Sequence, residues 1–304
     1  MPPRSLLDVD DLTPQELVAV LDRAVAFRDA PPARDLLAGV PVLNLFFEAS
    51  TRTATSFTLA EQRVGADVIS FAPGASSLGK GETIADTALT LRGIGVRVIV
   101  VRHGESGFAR RLADAFDGHV INAGDGTHAH PTQALLDLMT LRQEFGRFAG
   151  LRVAIVGDIL HSRVARSNIV GMRALGIDVV LVGPTTLLPH SFGGGGVRIE
   201  RDFDAVLPQV DAVMMLRIQR ERIAGGLLPT LDDYTQRFQL NRSRLRALRS
   251  DAVILHPGPY NRDVELTDDV LADPRSRYVA QVHNGVFVRM AVLDTLVNGA
   301  PVAA

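Results

Sequence analysis

The chain has 304 residues, 46% of them hydrophobic and 22% charged, with a formal net charge of −2 at pH 7. This composition is typical of a globular protein with room for two domains, and the small net charge disfavours nucleic acid or a membrane as a partner. Cysteine is absent, which excludes disulfides and thiol nucleophiles. A chain without disulfides is consistent with the expected location, the reducing cytoplasm. The N-terminus lacks the pattern of a targeting segment, and no apolar run reaches the roughly 18–20 residues of a membrane span.

Short apolar runs alternate with helical patterns and predict an α/β fold of two doubly wound parallel-sheet domains joined by helices. The runs are rich in Val, Ile and Leu with little polar alternation, as is typical of parallel strands covered on both faces. They occupy residues 40–47, 67–72, 96–103, 119–124, 151–158, 178–184, 211–217 and 251–257.

The domain break is predicted inside the helical segment 131–148, because a new strand–helix series starts at Leu151. This gives a first domain over 1–134 and a second over 135–284. The apolar pattern of 285–299 predicts a helix, and we expect the segment 285–304 to pack back on the first domain. Gly193–Gly196 is expected to form a surface loop.

Ligands of open parallel sheets bind at the carboxyl ends of the strands, so the residues that follow each predicted strand are the candidates. At the first of these positions, Ser50 is a plausible helix N-cap, with Thr51, Arg52 and Thr53 in the first turn. Simple capping would explain the serine and threonines. Arg52, however, opposes the helix dipole at a cost of about 0.3–1 kcal/mol, which a bound anion such as phosphate would offset.

A glycine-flanked lysine stands in the segment SSLGKGET. Lys80 is the one lysine among 32 basic residues, and the others are arginine. Lysine offers a compact charge on a flexible stem, which suits a loop that reaches an anion. The position therefore favours a functional role over chance survival.

Two motifs at family spacing carry a resemblance: STRT at 50–53, after an apolar strand, and HPTQ at 130–133. Together they resemble the aspartate/ornithine carbamoyltransferase family, and further matches extend the resemblance from residue 46 to residue 266. The family usually has a basic residue after STRT and an acidic one four residues later, where this chain has Ala54 and Thr58. Because both members of that i,i+4 pair are absent together, we interpret the change as a lost surface pair worth under about 0.5 kcal/mol.

The resemblance implies a binding site for carbamoyl phosphate. The phosphate is expected to contact the STRT segment, Arg102 and a mobile serine–lysine loop from a neighbouring subunit, whose serine is Ser76 or Ser77. The carbonyl oxygen is expected to accept hydrogen bonds from Thr53, Arg102 and His130, and the amino group to contact Gln133 and backbone carbonyls of the HPGP turn. The implied set is Ser50, Thr51, Arg52, Thr53, Ser76, Lys80, Arg102, His130, Gln133, Pro257 and Gly258, with Arg52, Thr53, Lys80, Arg102 and His130 catalytic. The Gly258–Pro259 bond is expected to be cis.

The resemblance also implies an amino-acid site formed by Arg163, Arg217 and Gln219, with Lys80 contributing. The pattern R-x-Q-x-x-R from Arg217 to Arg222 resembles the loop of the aspartate-using members, and arginine binds a carboxylate bidentately. The same cluster would repel ornithine, a cation. The ornithine-using members also carry a His-Cys-Leu-Pro motif, which a chain without cysteine cannot have.

The resemblance therefore implies transfer of the carbamoyl group of carbamoyl phosphate to L-aspartate, the committed step of de novo pyrimidine biosynthesis. The alternatives are a transcarbamoylase for another amino acid, such as ornithine, and a non-catalytic anion-binding subunit. A nicotinamide-binding module is disfavoured because G-x-G-x-x-G is missing, and a metal site at His128 and His130 is disfavoured because no further ligand cluster completes it. No cofactor is expected.

The resemblance further implies a homotrimer with shared active sites and closure of the domains around the substrates. It leaves open whether regulatory chains or a dihydroorotase partner join the trimer. No side chain is an evident general base, so the departing phosphate is a candidate acceptor of the amine proton.

Overall fold

The computed structural model describes residues 5–71, 83–218 and 230–299. The strands, in chain order, are β1 Pro41–Phe46, β2 Asp67–Phe71, β3 Val98–His103, β4 His119–Asp125, β5 Arg152–Val156, β6 Asp178–Val182, β7 Val197–Glu200, β8 Ala212–Met215 and β9 Val253–Leu255. The helices are α1 Pro14–Asp29, α2 Thr51–Arg63, α3 Ile84–Ile94, α4 Phe108–Ala115, α5 Pro131–Phe145, α6 Arg163–Ala174, α7 Phe203–Val206, α8 Leu231–Phe238, α9 Arg242–Ala247, α10 Asp268–Ala272 and α11 Tyr278–Asn298.

The described residues form two compact units. Unit 1 takes in those up to Met139 together with those from Val282 onward, and unit 2 takes in those within Thr140–Gln281. One division therefore falls inside α5 and the other in the first turns of α11. The C-terminal helix begins at Tyr278, earlier than the predicted 285, and Arg23 Nε of α1 lies 2.7 Å from its Asp294 Oδ2.

Unit 1 contains a parallel four-stranded sheet in the order β2-β1-β3-β4. The central strand β3 is covered on both faces, and its Val98, Ile99 and Val100 have no exposed surface. Since all four strands run the same way, their carboxyl ends meet at one edge, which places the β1–α2, β3–α4 and β4–α5 connections beside one another.

Unit 2 contains a parallel five-stranded sheet in the order β7-β6-β5-β8-β9. The predicted strands of both sheets are confirmed, and β7 is an additional one that the prediction missed. Its sequence, VRIE, alternates apolar and polar residues because it pairs with β6 alone at the edge of the sheet. The structure therefore has the predicted fold class, two parallel α/β sheets. Across the three described segments, no helix is both long enough and apolar enough to cross a membrane.

A buried acid lies between the first strand and the first helix of the predicted phosphate site. Asn44 Nδ2 of β1 donates to Glu61 Oε2 of α2 at 2.6 Å, and Glu61 has no exposed surface. Burial raises the pKa of Glu61 to about 7, with the hydrogen bond from Asn44 acting in the opposite direction. The carboxyl group therefore titrates near neutral pH in the folded chain.

We expect Glu61→Gln to stabilise the protein in a pH-dependent way. The folded pKa of about 7 exceeds the unfolded value of 4.5, so the contribution of Glu61 to stability is fully present below pH 4.5 and is lost as the pH rises through 7. The difference between these two pKa values corresponds to about 3 kcal/mol at pH 8.5, where the neutral glutamine avoids this cost. Urea unfolding from pH 5 to pH 8.5 measures it. The exposed Glu105→Gln is the control, and parallel stability curves for wild type and Glu61→Gln would contradict the assignment.

Candidate active site

Helix α2 of unit 1 begins as predicted, with Ser50 at the N-cap and Thr51 as the first helical residue. The Ser50 side chain, however, makes no capping hydrogen bond, in contrast to Thr13 before α1 and Ser162 before α6. The first-turn N–H groups of α2 therefore have no hydroxyl of their own N-cap to bind, and Arg52 adds positive charge to the same turn. This combination favours an anion at the helix start.

Arg102 lies at the same edge because β3 is the neighbour of β1. Phe46 pairs in register with Arg102, and the N–H of Phe47 donates to the Arg102 carbonyl oxygen at 2.8 Å. The Arg102 guanidinium donates from Nη1 to the carbonyl oxygen of Ala123 at 3.4 Å, and its Nε lies 3.3 Å from Glu48 Oε2. Glu48, in the β1–α2 connection, balances part of the positive charge, and sequence reasoning missed it although it stands two residues before Ser50.

His130 and Gln133 follow the next strand, β4. His130 is 4% exposed, and its carbonyl oxygen accepts from the Gln133 N–H at 3.1 Å, so it closes the start of α5. Pro131 occupies the first helical position, where a missing N–H costs nothing. The order of the strands thus brings the STRT turn, Arg102, His130 and Gln133 to one edge of unit 1, as the pattern predicts.

A buried aspartate organises the turn before His130. Asp125 is 1% exposed and accepts hydrogen bonds from Asn122 Nδ2 at 2.8 Å and the Ala129 N–H at 3.1 Å. His128 Nδ1 lies 3.1 Å from Asp125 Oδ2. His128 therefore stabilises this turn through its contact with Asp125. In the sequence, the Gly-Asp-Gly pattern at residues 124–126 is the only feature that marks Asp125.

In unit 2, Arg163 and Arg217 follow neighbouring strands. Met215 of β8 pairs with Val156 of β5, and the Leu216 N–H donates to the Val156 carbonyl oxygen at 2.8 Å. Arg163 is the first residue of α6 and is 5% exposed, while Arg217 lies two residues beyond β8 and is half-buried. A cation in the first turn of α6 opposes the helix dipole, just as Arg52 does in α2, and again favours a bound anion.

The HPGP turn follows β9, which is the next strand in the sheet. The N–H of Gly258 donates to His256 Nδ1 at 2.8 Å, so the ring proton is on Nε2, 3.5 Å from Oε1 of the fully buried Glu265. Gly258 has a φ of +63°, which favours glycine, and the Gly258–Pro259 bond is cis as expected. Glu265 is a second residue that the sequence reasoning missed, because nothing in the pattern marks it as buried.

Four predicted positions, Ser76, Lys80, Gln219 and Arg222, lie outside the described residues. The alternative serine, Ser77, lies outside them as well. Among the described residues, the sheet edge of unit 1 collects most of the groups expected to hold carbamoyl phosphate, and Pro257 and Gly258 of unit 2 are the others. The edge of unit 2 collects Arg163, Arg217 and the HPGP turn.

We expect Ser50→Ala to separate ligand binding from helix capping. Because the Ser50 hydroxyl does not cap α2, its removal should change the free energy of unfolding by less than about 0.5 kcal/mol, whereas Ser162→Ala, which removes the cap on Ala165, should cost about 1 kcal/mol. Loss of a hydrogen bond to a charged ligand should raise the carbamoyl phosphate requirement about tenfold in Ser50→Ala. Urea unfolding and initial rates measure the two effects. A large loss of stability without a change in the requirement would contradict this role.

Both halves of the chain match models of known protein families. Residues 4–143 match the family model described as aspartate/ornithine carbamoyltransferase, carbamoyl-P binding domain, and residues 149–296 match its Asp/Orn binding domain. The aspartate carbamoyltransferase catalytic subunit of Granulibacter bethesdensis is 52% identical over 96% of this chain and 94% of its own length. That of Acidothermus cellulolyticus is 50% identical over 97% of this chain and 93% of its own.

Solved structures show the same fold. The aspartate transcarbamoylase of Trypanosoma cruzi in complex with carbamoyl phosphate and aspartate has a TM-score of 0.87 and 32% identity, covering 97% of each chain. The ornithine carbamoyltransferase of Thermus thermophilus also has a TM-score of 0.87, with 30% identity over 97% of this chain and 99% of its own. The chain belongs to the aspartate/ornithine carbamoyltransferase family.

Proposed function

We propose that the chain is an aspartate carbamoyltransferase, which converts carbamoyl phosphate and L-aspartate to N-carbamoyl-L-aspartate and phosphate in the committed step of de novo pyrimidine biosynthesis. The observation that carries the proposal is the pair Arg163 and Arg217, which follow adjacent strands of unit 2 and suit a dicarboxylic amino acid. The names of the relatives at 50% and 52% identity support it.

In this proposal carbamoyl phosphate is held mostly by residues of unit 1, and backbone carbonyls at Pro257 and Gly258 of unit 2 accept from its amino group. The phosphate contacts the first turn of α2, whose N–H groups, hydroxyls and Arg52 all favour negative charge. Arg102, His130 and Thr53 face the carbonyl oxygen and stabilise it as it becomes an oxyanion, which is the principal electrostatic contribution to acyl transfer. The family resemblance assigns Ser76 and Lys80 as the remaining ligands of the phosphate.

Aspartate is held in unit 2 by Arg163 and Arg217, with Gln219 and Lys80 assigned by resemblance. The amine attacks the carbonyl carbon, the C–O bond to phosphate breaks, and the departing phosphate accepts the amine proton. Positioning of the two substrates supplies much of the rate gain, so the proposal needs neither a cofactor nor a side-chain base.

We further propose a cytoplasmic homotrimer in which neighbouring chains share active sites. Unit 1 exposes large apolar side chains on the elements around residues 72–82, which an interface would cover: Leu59, Ile69, Leu89 and Ile94. The strand β2, which carries Ile69, is an edge strand, and edge strands are commonly covered. The proposal leaves open regulatory chains and a dihydroorotase partner, which sizing of the native complex would detect.

The second candidate is an ornithine carbamoyltransferase, because the Thermus enzyme has the same fold at a TM-score of 0.87. The arginines of unit 2 argue against it, since ornithine brings a second positive charge rather than a second carboxylate. The absence of cysteine, and hence of the His-Cys-Leu-Pro motif, argues the same way.

An assay of the purified chain with carbamoyl phosphate tests the choice. We expect phosphate release to depend on L-aspartate and to exceed the rate with ornithine by at least about a hundredfold, the effect of one missing charge-assisted contact of about 3 kcal/mol. Chromatography of the product should show N-carbamoyl-L-aspartate. A higher rate with ornithine would establish the second candidate, and no transfer to either would favour a binding subunit.

A further inference from the structure

The helix that begins at the predicted carbamoyl phosphate site carries a buried polar pair. Gln133 Nε2 donates to Asp137 Oδ1 at 2.9 Å, one turn further along α5. Asp137 has no exposed surface, and Gln133 is 8% exposed. A carboxylate buried this completely is costly unless hydrogen bonds and a nearby positive charge stabilise it.

The positive charge is on the C-terminal helix of the same unit. Arg289 of α11 is 3% exposed. Burial lowers the pKa of Arg289 to about 10, and the charge of Asp137 opposes that shift. The two residues are 152 positions apart in the chain, yet their charges interact in the interior of unit 1.

Contacts with the phosphate-site helix fix the Arg289 guanidinium. Its Nη1 donates to Ser56 Oγ at 2.8 Å, and its central carbon lies 4.9 Å from the centre of the Phe57 ring. Gly285 makes room for it, because a Cβ there would overlap Arg289 Nη1. Arg289 therefore contacts α2, which begins at the STRT turn, and interacts electrostatically with Asp137 of α5.

We propose that Asp137 and Arg289 are positioning residues that fix the orientation of the Gln133 amide and thereby select the carbamoyl group. This inference rests on the proposed function, in which Gln133 contacts the amino group of carbamoyl phosphate. An ionised carboxylate only accepts hydrogen bonds, so Asp137 binds Nε2 of the Gln133 amide. The Gln133 Oε1 atom therefore points away from Asp137. An outward oxygen accepts an N–H from the carbamoyl amino group, whereas an outward Nε2 would repel it.

Acetyl phosphate is the probe for this selection, because it replaces the carbamoyl amino group with a methyl group of similar size. In Asp137→Asn the new amide can donate or accept a hydrogen bond. The Gln133 side-chain amide can therefore rotate by half a turn, which exchanges the positions of Oε1 and Nε2. We expect the affinity for carbamoyl phosphate to fall about tenfold, while the affinities for acetyl phosphate and inorganic phosphate change less than twofold. Low-temperature calorimetric titration of the intact protein with fresh carbamoyl phosphate measures all three.

Two further variants test the contribution of Arg289 and its hydrogen-bond partner Ser56. Arg289→Met removes the charge, and the milder Ser56→Ala removes one hydrogen bond and keeps the series informative if Arg289→Met does not fold. Both should reduce the preference for carbamoyl over acetyl phosphate, Ser56→Ala by about threefold. The matched control is Arg23→Met, which breaks the ion pair with Asp294 on the same helix α11 and should lower the melting temperature without changing the preference.

An unchanged preference in Asp137→Asn and Ser56→Ala would overturn the inference, as would an equal loss of affinity for all three ligands. The experiment also separates this inference from the proposed function. A wild-type chain that prefers carbamoyl phosphate to acetyl phosphate but carbamoylates no aspartate would contradict the function alone.

Discussion

Replacing Arg217 by alanine is expected to raise the aspartate concentration needed for half-maximal rate about a hundredfold. Loss of a bidentate contact with a carboxylate costs on the order of 3 kcal/mol, part of it the penalty of leaving the partner charge unpaired. The carbamoyl phosphate requirement should change far less, because its predicted ligands lie mostly in unit 1. Initial rates with each substrate varied in turn measure the two requirements.

The fold offers a control for this experiment. Arg173 is an exposed arginine in the last turn of α6, the helix that begins with Arg163, so it lies at the end opposite to the site. Arg173→Ala removes the same charge from unit 2 and should leave both requirements unchanged. Equal effects of Arg217→Ala on the two substrates would show that this residue does not hold aspartate.

The strands of both sheets are readable from the sequence because buried parallel strands need continuous apolar runs. The strand β7 lacks such a run, because at the edge of the sheet Arg198 and Glu200 can alternate with apolar residues. The helix starts are readable for a related reason: a polar residue at the N-cap and proline in the first turn have local causes. Ser50 and Pro131 stand where the pattern places them.

The groups that orient the site are less accessible to sequence reasoning, because their partners are distant in the chain. Gln133 and Asp137 are four residues apart and could have been paired from helix spacing. Arg289 could not, since its approach to Ser56 depends on how α11 packs on α2. Glu265 could not be predicted either, because its buried position next to His256 depends on tertiary packing. The positions of strands and helix starts are therefore predictable here, whereas the long-range contacts that support the candidate site residues are not.

The proposed sharing of active sites between chains predicts a recovery of activity that no single chain could provide. Lys80 is the single lysine of the chain and lies in a segment with little apolar content to dock it on its own domain. A cation on such a segment gains most by meeting an anion elsewhere, and the resemblance places it in the neighbouring subunit's site. Lys80→Ala and Arg52→Ala proteins should each be nearly inactive as pure trimers.

Mixed trimers of these two variants should regain about a third of wild-type activity. In the proposed closed ring of three chains, each site would take Arg52 from one chain and Lys80 from the next. A two-to-one or one-to-two trimer then has one interface at which both residues are intact, and two at which at least one is missing. Denaturing and refolding the variants together, then separating hybrids by a charged tag on one variant, allows the activity of each species to be measured. Refolded Arg52→Ala alone and refolded wild type set the lower and upper limits. A site built from a single chain would have no intact copy in any mixture, so activity at the level of the parents would rule out sharing.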